Sequence, residues 1–364
     1  MVECHYKALQ VCDSQASGAD DAVDNDVKKG IAGMNSFKMP AVDVLTIGRS
    51  GIDIYPLQTG VGLEKVEQFG KFLGGSPMNV AVAAAKLRHS SAIITGVGKD
   101  PFGKFVRSEM RSLGVYDTYV VDNPNFATPV TFCEIFPPDD FPLYFYREPS
   151  TPDLELTEAD IPEDAVKDAR IFWISVTGLS EEPSRSAHHH ALDLRDLSET
   201  DKWTIADLDY RATFWSDEET AHREVERILE KVSVAVGNKE ECRIAVGETE
   251  PDRAADALLE RGVEIAVVKQ GPLGTLCKTR EERIEVPVTP VKVTNGLGAG
   301  DSFGGSLCHG LLSGWELPQI ISAASTAGAI VSSRLECSTA MPSEPEILDM
   351  IAKNPQSAPI VTKR

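Results

Sequence analysis

The chain has 364 residues, enough for one large α/β domain or two modest ones, and its 42% hydrophobic and 25% charged content excludes collagen-like, coiled-coil or wholly disordered chains. Its 56 acidic residues against 36 Lys and Arg give a formal charge of -20. That charge opposes electrostatic capture of nucleic acid or an anionic membrane surface, so neither is expected as a partner and any phosphate must be bound locally.

Residues 1–40 read as a disordered extension, because Gly, Ala, Ser, Asp and Lys dominate 14–30 and apolar periodicity is weak. Met34 and Met39 stand just before the first strong strand, so a start codon assigned too far upstream is the alternative to a targeting role. A single folded domain is expected over 41–364. Residues 42–48 (VDVLTIG) have the pattern of a buried strand feeding a loop. The Ala-rich segment 77–89 predicts a helix, 91–97 a second buried strand, and 103–114 a helix capped by Asp100 and opened by Pro101. Strands recur at 171–176, 204–208, 232–236 and 265–269 with helical segments around them. This alternation predicts a doubly wound, mostly parallel α/β sheet flanked by helices. Two stretches depart from it, 52–72 and 127–148, the second alternating like a hairpin around Pro137-Pro138-Asp139-Asp140. They predict a small antiparallel β lid.

Seven cysteines without a C-x-x-C pair fit neither a disulfide framework nor a zinc ribbon, so reduced thiols and a cytoplasmic location are expected. No apolar run approaches the roughly 20 residues of a bilayer span, and the N-terminus does not read as a signal peptide. His188-His189-His190 point in different directions around a helix, a poor metal site, and a solvated helix is expected there. Trp173 and Trp203 are expected in the core.

The stretch from Gly98 to Lys104 imitates a P-loop, but Phe105 stands where the pattern needs a hydroxyl, and no segment completes G-x-G-x-x-G. The segment that carries chemistry is 293–305 (VTNGLGAGDSFGG). There Gly298, Ala299 and Gly300 can turn backbone N–H groups toward one point at a helix start, an anion cradle. Asp301 beside it can accept the proton of a hydroxyl attacking phosphorus, or it can be an ordinary helix cap. A second glycine turn, Gly74-Gly75-Ser76-Pro77-Met78-Asn79, also opens a helix, with Asn79 in its first turn.

The two turns, in this order and about 220 residues apart, resemble the paired signatures of the ribokinase-like (PfkB) family of carbohydrate kinases over 41–361. The resemblance implies ATP as donor, magnesium entering with it, and a hydroxyl group of a sugar as acceptor. It places Gly74, Gly75 and Asn79 at the sugar, makes the amides from Gly298 to Gly300 the anion hole, and makes Asp301 the base. Asp53, in Gly48-Arg49-Ser50-Gly51-Ile52-Asp53, matches a residue that binds sugar hydroxyls. Asn238 and Glu241 match an N-x-x-E whose Glu organises magnesium-bound water and the phosphates. Lys269, Gly271 and Gly274 match a strand-end loop along ATP, and Ser325 falls at an adenine-side position. By the same analogy Cys308 and Cys337 lie near the nucleotide end.

Tyr144-Phe145-Tyr146-Arg147 and Asp207-Leu208-Asp209-Tyr210-Arg211 resemble elements of a branch acting on keto-deoxy sugar acids, which puts Arg147, Asp209 and Arg211 at the substrate. A guanidinium fork matches a planar carboxylate, so two arginines favour a sugar acid over a neutral sugar; surface salt bridges are the other reading. Residues 295–301 and 308–312 come nearest in wording to the branch that serves inositol catabolism. The expected reaction is phosphorylation of the 6-hydroxyl of 5-dehydro-2-deoxy-D-gluconate. 2-Keto-3-deoxygluconate is the alternative acceptor, and a non-catalytic sugar-acid sensor is the alternative of a different class. Asn295 stands where potassium-activated relatives carry Asp, which weakens the case for a monovalent cation, while Glu336 in the other loop of that site could restore the charge. A homodimer through the lid strands is implied by the resemblance alone.

Overall fold

The computed structural model describes residues 41–364, and the expected extension over 1–40 lies outside the described residues. The first half of the chain supplies strands β1 (Val44–Ile47), β2 (Gly51–Pro56), β3 (Phe69–Gly74), β4 (Ser91–Gly98), β5 (Val115–Tyr116), β6 (Val120–Asn123), β7 (Val130–Cys133) and β8 (Leu143–Tyr146). The second half supplies β9 (Ile171–Ser175), β10 (Trp203–Asp207), β11 (Val234–Asn238), β12 (Ile265–Lys269), β13 (Thr275–Lys278), β14 (Glu282–Val286) and β15 (Ile360–Lys363). The helices are α1 (Ser76–Lys86), α2 (Pro101–Ser112), α3 (Glu163–Asp168), α4 (Ser184–Asp193), α5 (Glu218–Leu229), α6 (Lys239–Val246), α7 (Pro251–Glu260), α8 (Ala299–Leu312), α9 (Leu317–Ser332) and α10 (Glu344–Lys353).

The main sheet runs β15-β14-β13-β12-β11-β10-β9-β1-β4-β5, with β6 also paired to β4. Pairing is parallel from β12 to β5 and antiparallel from β12 to β15. Strand β9 shows why helices cover both faces. Its Ile171 and Trp173 cluster with Val80 of α1, Phe303 of α8 and Ile321 of α9, whereas Phe172 and Ile174 cluster with Ala187 of α4, Val225 of α5 and Ala255 of α7. From β1 the chain moves to β4 on one side and later returns to β9 on the other. The carboxyl ends of β1 and β9 therefore border a switch in strand order, where open α/β sheets place their ligand crevice.

Strands β3-β2-β7-β8 form a separate four-stranded sheet. Pairs β2–β3 and β7–β8 are antiparallel, but β2–β7 is parallel, so the sheet is mixed and not the antiparallel one expected. The reason lies in the connections: β2 follows β1 and β7 follows β6, both members of the parallel set on β4, so both leave the main sheet in one direction.

Asp100 caps α2 as expected, accepting from the Gly103 amide at 2.7 Å. Trp173 is buried and Trp203 packs partly buried on the same cluster. The histidine run departs from expectation. His188 is fully buried, its Nδ1 2.8 Å from the Ser184 carbonyl oxygen, because Gly178 leaves room where a Cβ would stand 2.1 Å from its Nε2. Among the described residues no group of three His, Cys, Asp or Glu side chains could hold a metal, and no helix is long and apolar enough to cross a membrane. The cysteines at 133, 242, 277, 308 and 337 are free and buried.

Candidate active site

Two helices begin at the crevice because two glycines turn the chain into them. Gly75, at φ 102°, precedes α1, and a Cβ there would lie 2.4 Å from the Arg49 carbonyl oxygen. Gly298, at φ 79°, precedes α8, where a Cβ would lie 2.6 Å from Cys337 Sγ. Both positions demand glycine on conformation and on space. The helices then cross closely: a Cβ on Gly305 would stand 2.2 Å from Ala83 Cβ. One turn earlier on each helix are Asp301 and Asn79, which therefore face each other.

Asn79 Nδ2 donates to Asp301 Oδ2 at 2.7 Å, and Ser76 Oγ donates to Asp301 Oδ1 at 2.8 Å. Ser338 Oγ lies within hydrogen-bond reach of both Asn79 Oδ1 and the Leu73 carbonyl oxygen. The N-cap of α8 is Gly298, and Asp301 lies within the helix, so the helix-cap reading of Asp301 does not hold. Its carboxyl instead lines the cleft together with Gly298 and Gly300. Burial raises the Asp301 pKa, against the opposing pull of the Asn79 and Ser76 bonds.

Three arginines and the carboxylates that pair with them gather at one end of the cleft. Arg49 Nη2 lies 2.5 Å from Asp209 Oδ2, and Arg211 Nη2 lies 2.8 Å from Asp209 Oδ1. Burial opposes the Asp209 charge, but Arg211 and Arg49 hold its carboxyl well below the usual range. Arg147 pairs with Asp153 at 2.7 Å, and the Phe214 ring sits between Arg49 and Arg147, 5.3 and 5.1 Å from their guanidinium carbons. Arg211 Nε is a buried donor with no hydrogen-bond partner among the described residues. Asp53 projects from β2, its Oδ2 accepting from the Tyr55 hydroxyl at 2.9 Å, while Tyr55 Oη also contacts Cys337 Sγ at 2.7 Å. Burial pushes the Asp53 pKa up to about 6.

At the other end Lys269 leaves β12, and a Cβ on Gly300 would come within 3.3 Å of its Nζ. Burial opposes the lysine's charge, but the carboxylates of Glu241, Asp207, Asp209 and Asp301 outweigh it and raise its pKa. The N-x-x-E segment proves to be a capping box for α6: Asn238 Oδ1 accepts from the amides of Glu240 and Glu241, and Glu241 Oε2 accepts from the Asn238 amide at 2.6 Å. Glu241 still lines the cleft.

Two helix starts, a buried carboxylate and a group of arginines brought to one cleft suit phosphoryl transfer to an alcohol. A family model described as pfkB family carbohydrate kinase matches residues 42–344. The chain belongs to the pfkB family of carbohydrate kinases. It is 32% identical over 326 residues to a 5-dehydro-2-deoxygluconokinase of Listeria monocytogenes, covering 88% of this chain and 99% of that one. It is 30% identical over 316 residues to one of Geobacillus thermodenitrificans, covering 85% and 93%. A solved aminoimidazole riboside kinase from Salmonella enterica, complexed with its riboside and an ATP analogue, shares the fold with a TM-score of 0.71 at 22% identity, over 85% of this chain and 99% of that one.

Within this pfkB fold the expected residues separate into two groups. Asp53, Gly75, Asn79, Arg147, Asp209, Arg211, Asn238, Glu241, Lys269, Gly298, Gly300 and Asp301 line one cleft. Gly74 lies behind it, making room for Asp53, whose Oδ1 would be 2.1 Å from a Cβ at 74. Gly271 and Gly274 flank the turn from β12 to β13 with φ of 58° and 95°, and Ser325 Oγ donates to Thr275 Oγ1 at 3.0 Å. These three and Ala299 are not among the residues lining the cleft. Asn295 is buried and donates to the Leu335 carbonyl at 2.7 Å, and Glu336 accepts from Thr339 Oγ1. Cys337 touches Tyr55 and lines the cleft with it, and Cys308 sits in the core among α8, α9 and the sheet. Sequence reasoning missed Arg49, Ser76, Asp207 and Tyr55 as cleft residues. Arg49, Ser76 and Asp207 stood inside segments already singled out, and strand period puts Tyr55 on the same face as Asp53.

Proposed function

We propose that this kinase transfers the γ-phosphoryl group of ATP to the 6-hydroxyl of 5-dehydro-2-deoxy-D-gluconate. The observation that carries the reading is the position of Asp301, held by Ser76 and Asn79 in one cleft with Gly298, Gly300 and three arginines. The acid end of the substrate pairs with Arg147 and Arg211, and Asp53 takes its hydroxyls. Asp301 accepts the 6-hydroxyl proton as that oxygen bonds to the γ-phosphorus and the bond to ADP breaks. Amides from Gly298 to Gly300 receive the phosphoryl oxygens, with Lys269 beside them. When bound with the nucleotide, magnesium would supply positive charge against the phosphates. Glu241 suits its water ligands, since one carboxylate oxygen is engaged in the capping box and the side chain still lines the cleft. The names of the curated relatives support the acceptor, and the solved riboside kinase supports a sugar and a nucleotide on this fold.

A homodimer belongs to the same reading. Phe69, Phe132 and Tyr146 form an edge-to-face ladder on the four-stranded sheet, with centroids 5.8 and 5.5 Å apart, and Phe69, Tyr144 and Tyr146 are exposed. Sedimentation of the native chain and a Tyr146→Lys variant tests it.

ADP release with magnesium, ATP and a panel of sugar acids and neutral sugars tests the function. The highest kcat/KM is expected for 5-dehydro-2-deoxy-D-gluconate. Preference for 2-keto-3-deoxygluconate moves the enzyme to the neighbouring branch, and binding without turnover makes it a sensor.

A further inference from the structure

We propose that Ser76 and Asp207 form a proton relay behind Asp301. The inference rests on the reading of Asp301 as base. Ser76 Oγ stands 2.8 Å from Asp301 Oδ1 and 3.2 Å from Asp207 Oδ2. A hydroxyl has one hydrogen and two lone pairs, so it donates to one carboxyl group while accepting from the other. That is the geometry of a shuttle.

The two aspartates of Asp207-Leu208-Asp209 sit in opposite environments. Asp209 is clamped by Arg49 and Arg211, whereas Asp207 has the Ser76 hydroxyl as its hydrogen-bond partner. The groups facing Asp207 are Lys269 from β12, Asp209 and Arg211 beyond β10, Glu241 from α6 and Asp301 from α8. Burial pushes its pKa up to about 7, with Lys269 opposing and the three carboxylates adding. Paired acids whose pKa values are driven apart mark a division between an ionised and a protonatable partner.

The step balances within the chain. Once Asp301 has taken the proton of the acceptor hydroxyl on Oδ1, the Ser76 hydroxyl turns its hydrogen from Asp301 to Asp207 Oδ2, accepts the proton from Asp301 and passes its own to Asp207. Asp301 is again a carboxylate, Ser76 is unchanged and Asp207 is a neutral acid that loses its proton through the cleft it lines. Ser76 and Asp207 act through Asp301 and are positioning residues for the proton.

Steady-state turnover, which includes the return of Asp301 to its ionised form, is measured in mixtures of light and heavy water. The native enzyme is expected to give a bowed proton inventory from two moving protons. Ser76→Ala gives a straight line and a rate roughly tenfold to a hundredfold lower, Ser76→Thr restores the bow, and Asp207→Asn removes an inflection near neutral pH. A straight native plot, or a Ser76→Ala variant with the native rate and curvature, overturns the relay. The base reading fails separately: it falls if Asp301→Asn turns over at the native rate, whereas an inactive Asp301→Asn beside an unaffected Ser76→Ala refutes the relay alone.

Discussion

Gly305 and Ala83 meet where α8 crosses α1, one helical turn beyond the point at which Asp301 accepts its hydrogen bond from Asn79. The missing side chain at 305 thus sets the position of the Asp301 carboxyl group. Gly305→Ala places a Cβ 2.2 Å from that of Ala83 and must part the helices. We expect a loss of about 1–3 kcal/mol in denaturant unfolding, typical of overpacking, together with at least a tenfold drop in kcat from misplaced reacting groups.

The proposed pairing of the substrate's acid group with Arg147 and Arg211 predicts selectivity for acids. Arg147→Gln and Arg211→Gln should each raise KM for the sugar acid roughly tenfold or more, the scale of a lost charge-assisted hydrogen bond. Steady-state kinetics with an analogue lacking the carboxylate should show much smaller changes. Equal losses on both substrates would remove the carboxylate from this pocket.

Asp53 makes stability depend on pH. Its folded pKa, raised to about 6 by burial, exceeds the ordinary carboxylate value, so its contribution is fully present below about pH 4 and is lost as pH rises through about 6. Asp53→Asn removes the charge that burial disfavours. Its stability in denaturant unfolding should exceed the native one by about 3 kcal/mol at pH 8, and the two should converge as pH falls to about 4. The same variant should bind the sugar acid more weakly.

Asn295 ties two loops together with a neutral amide, donating to the Leu335 carbonyl at 2.7 Å, while Glu336 is engaged by Thr339. Rates in potassium and in a large inert cation should agree within about twofold, since no ionic charge from Asn295 awaits a cation. A tenfold activation by potassium would contradict this and return Glu336 to the cation site.

How far the sequence alone reached follows from the range of each interaction. The glycine turns at 74–75 and 298–300 were legible because a turn that needs positive φ and opens a helix is written in neighbouring residues. Strands β1, β4, β9 and β12 were legible as apolar runs. Strands β13, β14 and β15 were not, being four or five residues long and mixed with Lys, Arg and Glu. Asp209 was expected to touch substrate, yet its pairing with Arg49 spans 160 residues, and nothing near either residue announces it. The Ser76 to Asp301 bond spans 225 residues and Tyr55 to Cys337 spans 282, so these partners emerge only once the helices and the second sheet are packed. The N-x-x-E segment held two meanings, a capping box and a cleft carboxylate, and only the folded chain shows both.

The most direct measurement is turnover by Asp301→Asn beside a thermal-shift titration with the sugar acid. Loss of the general base should lower kcat by 10²-fold or more, in the range of such catalysis, while the sugar acid still shifts the melting temperature as it does for the native chain. Turnover at the native rate would show that Asp301 is not the group that takes the proton.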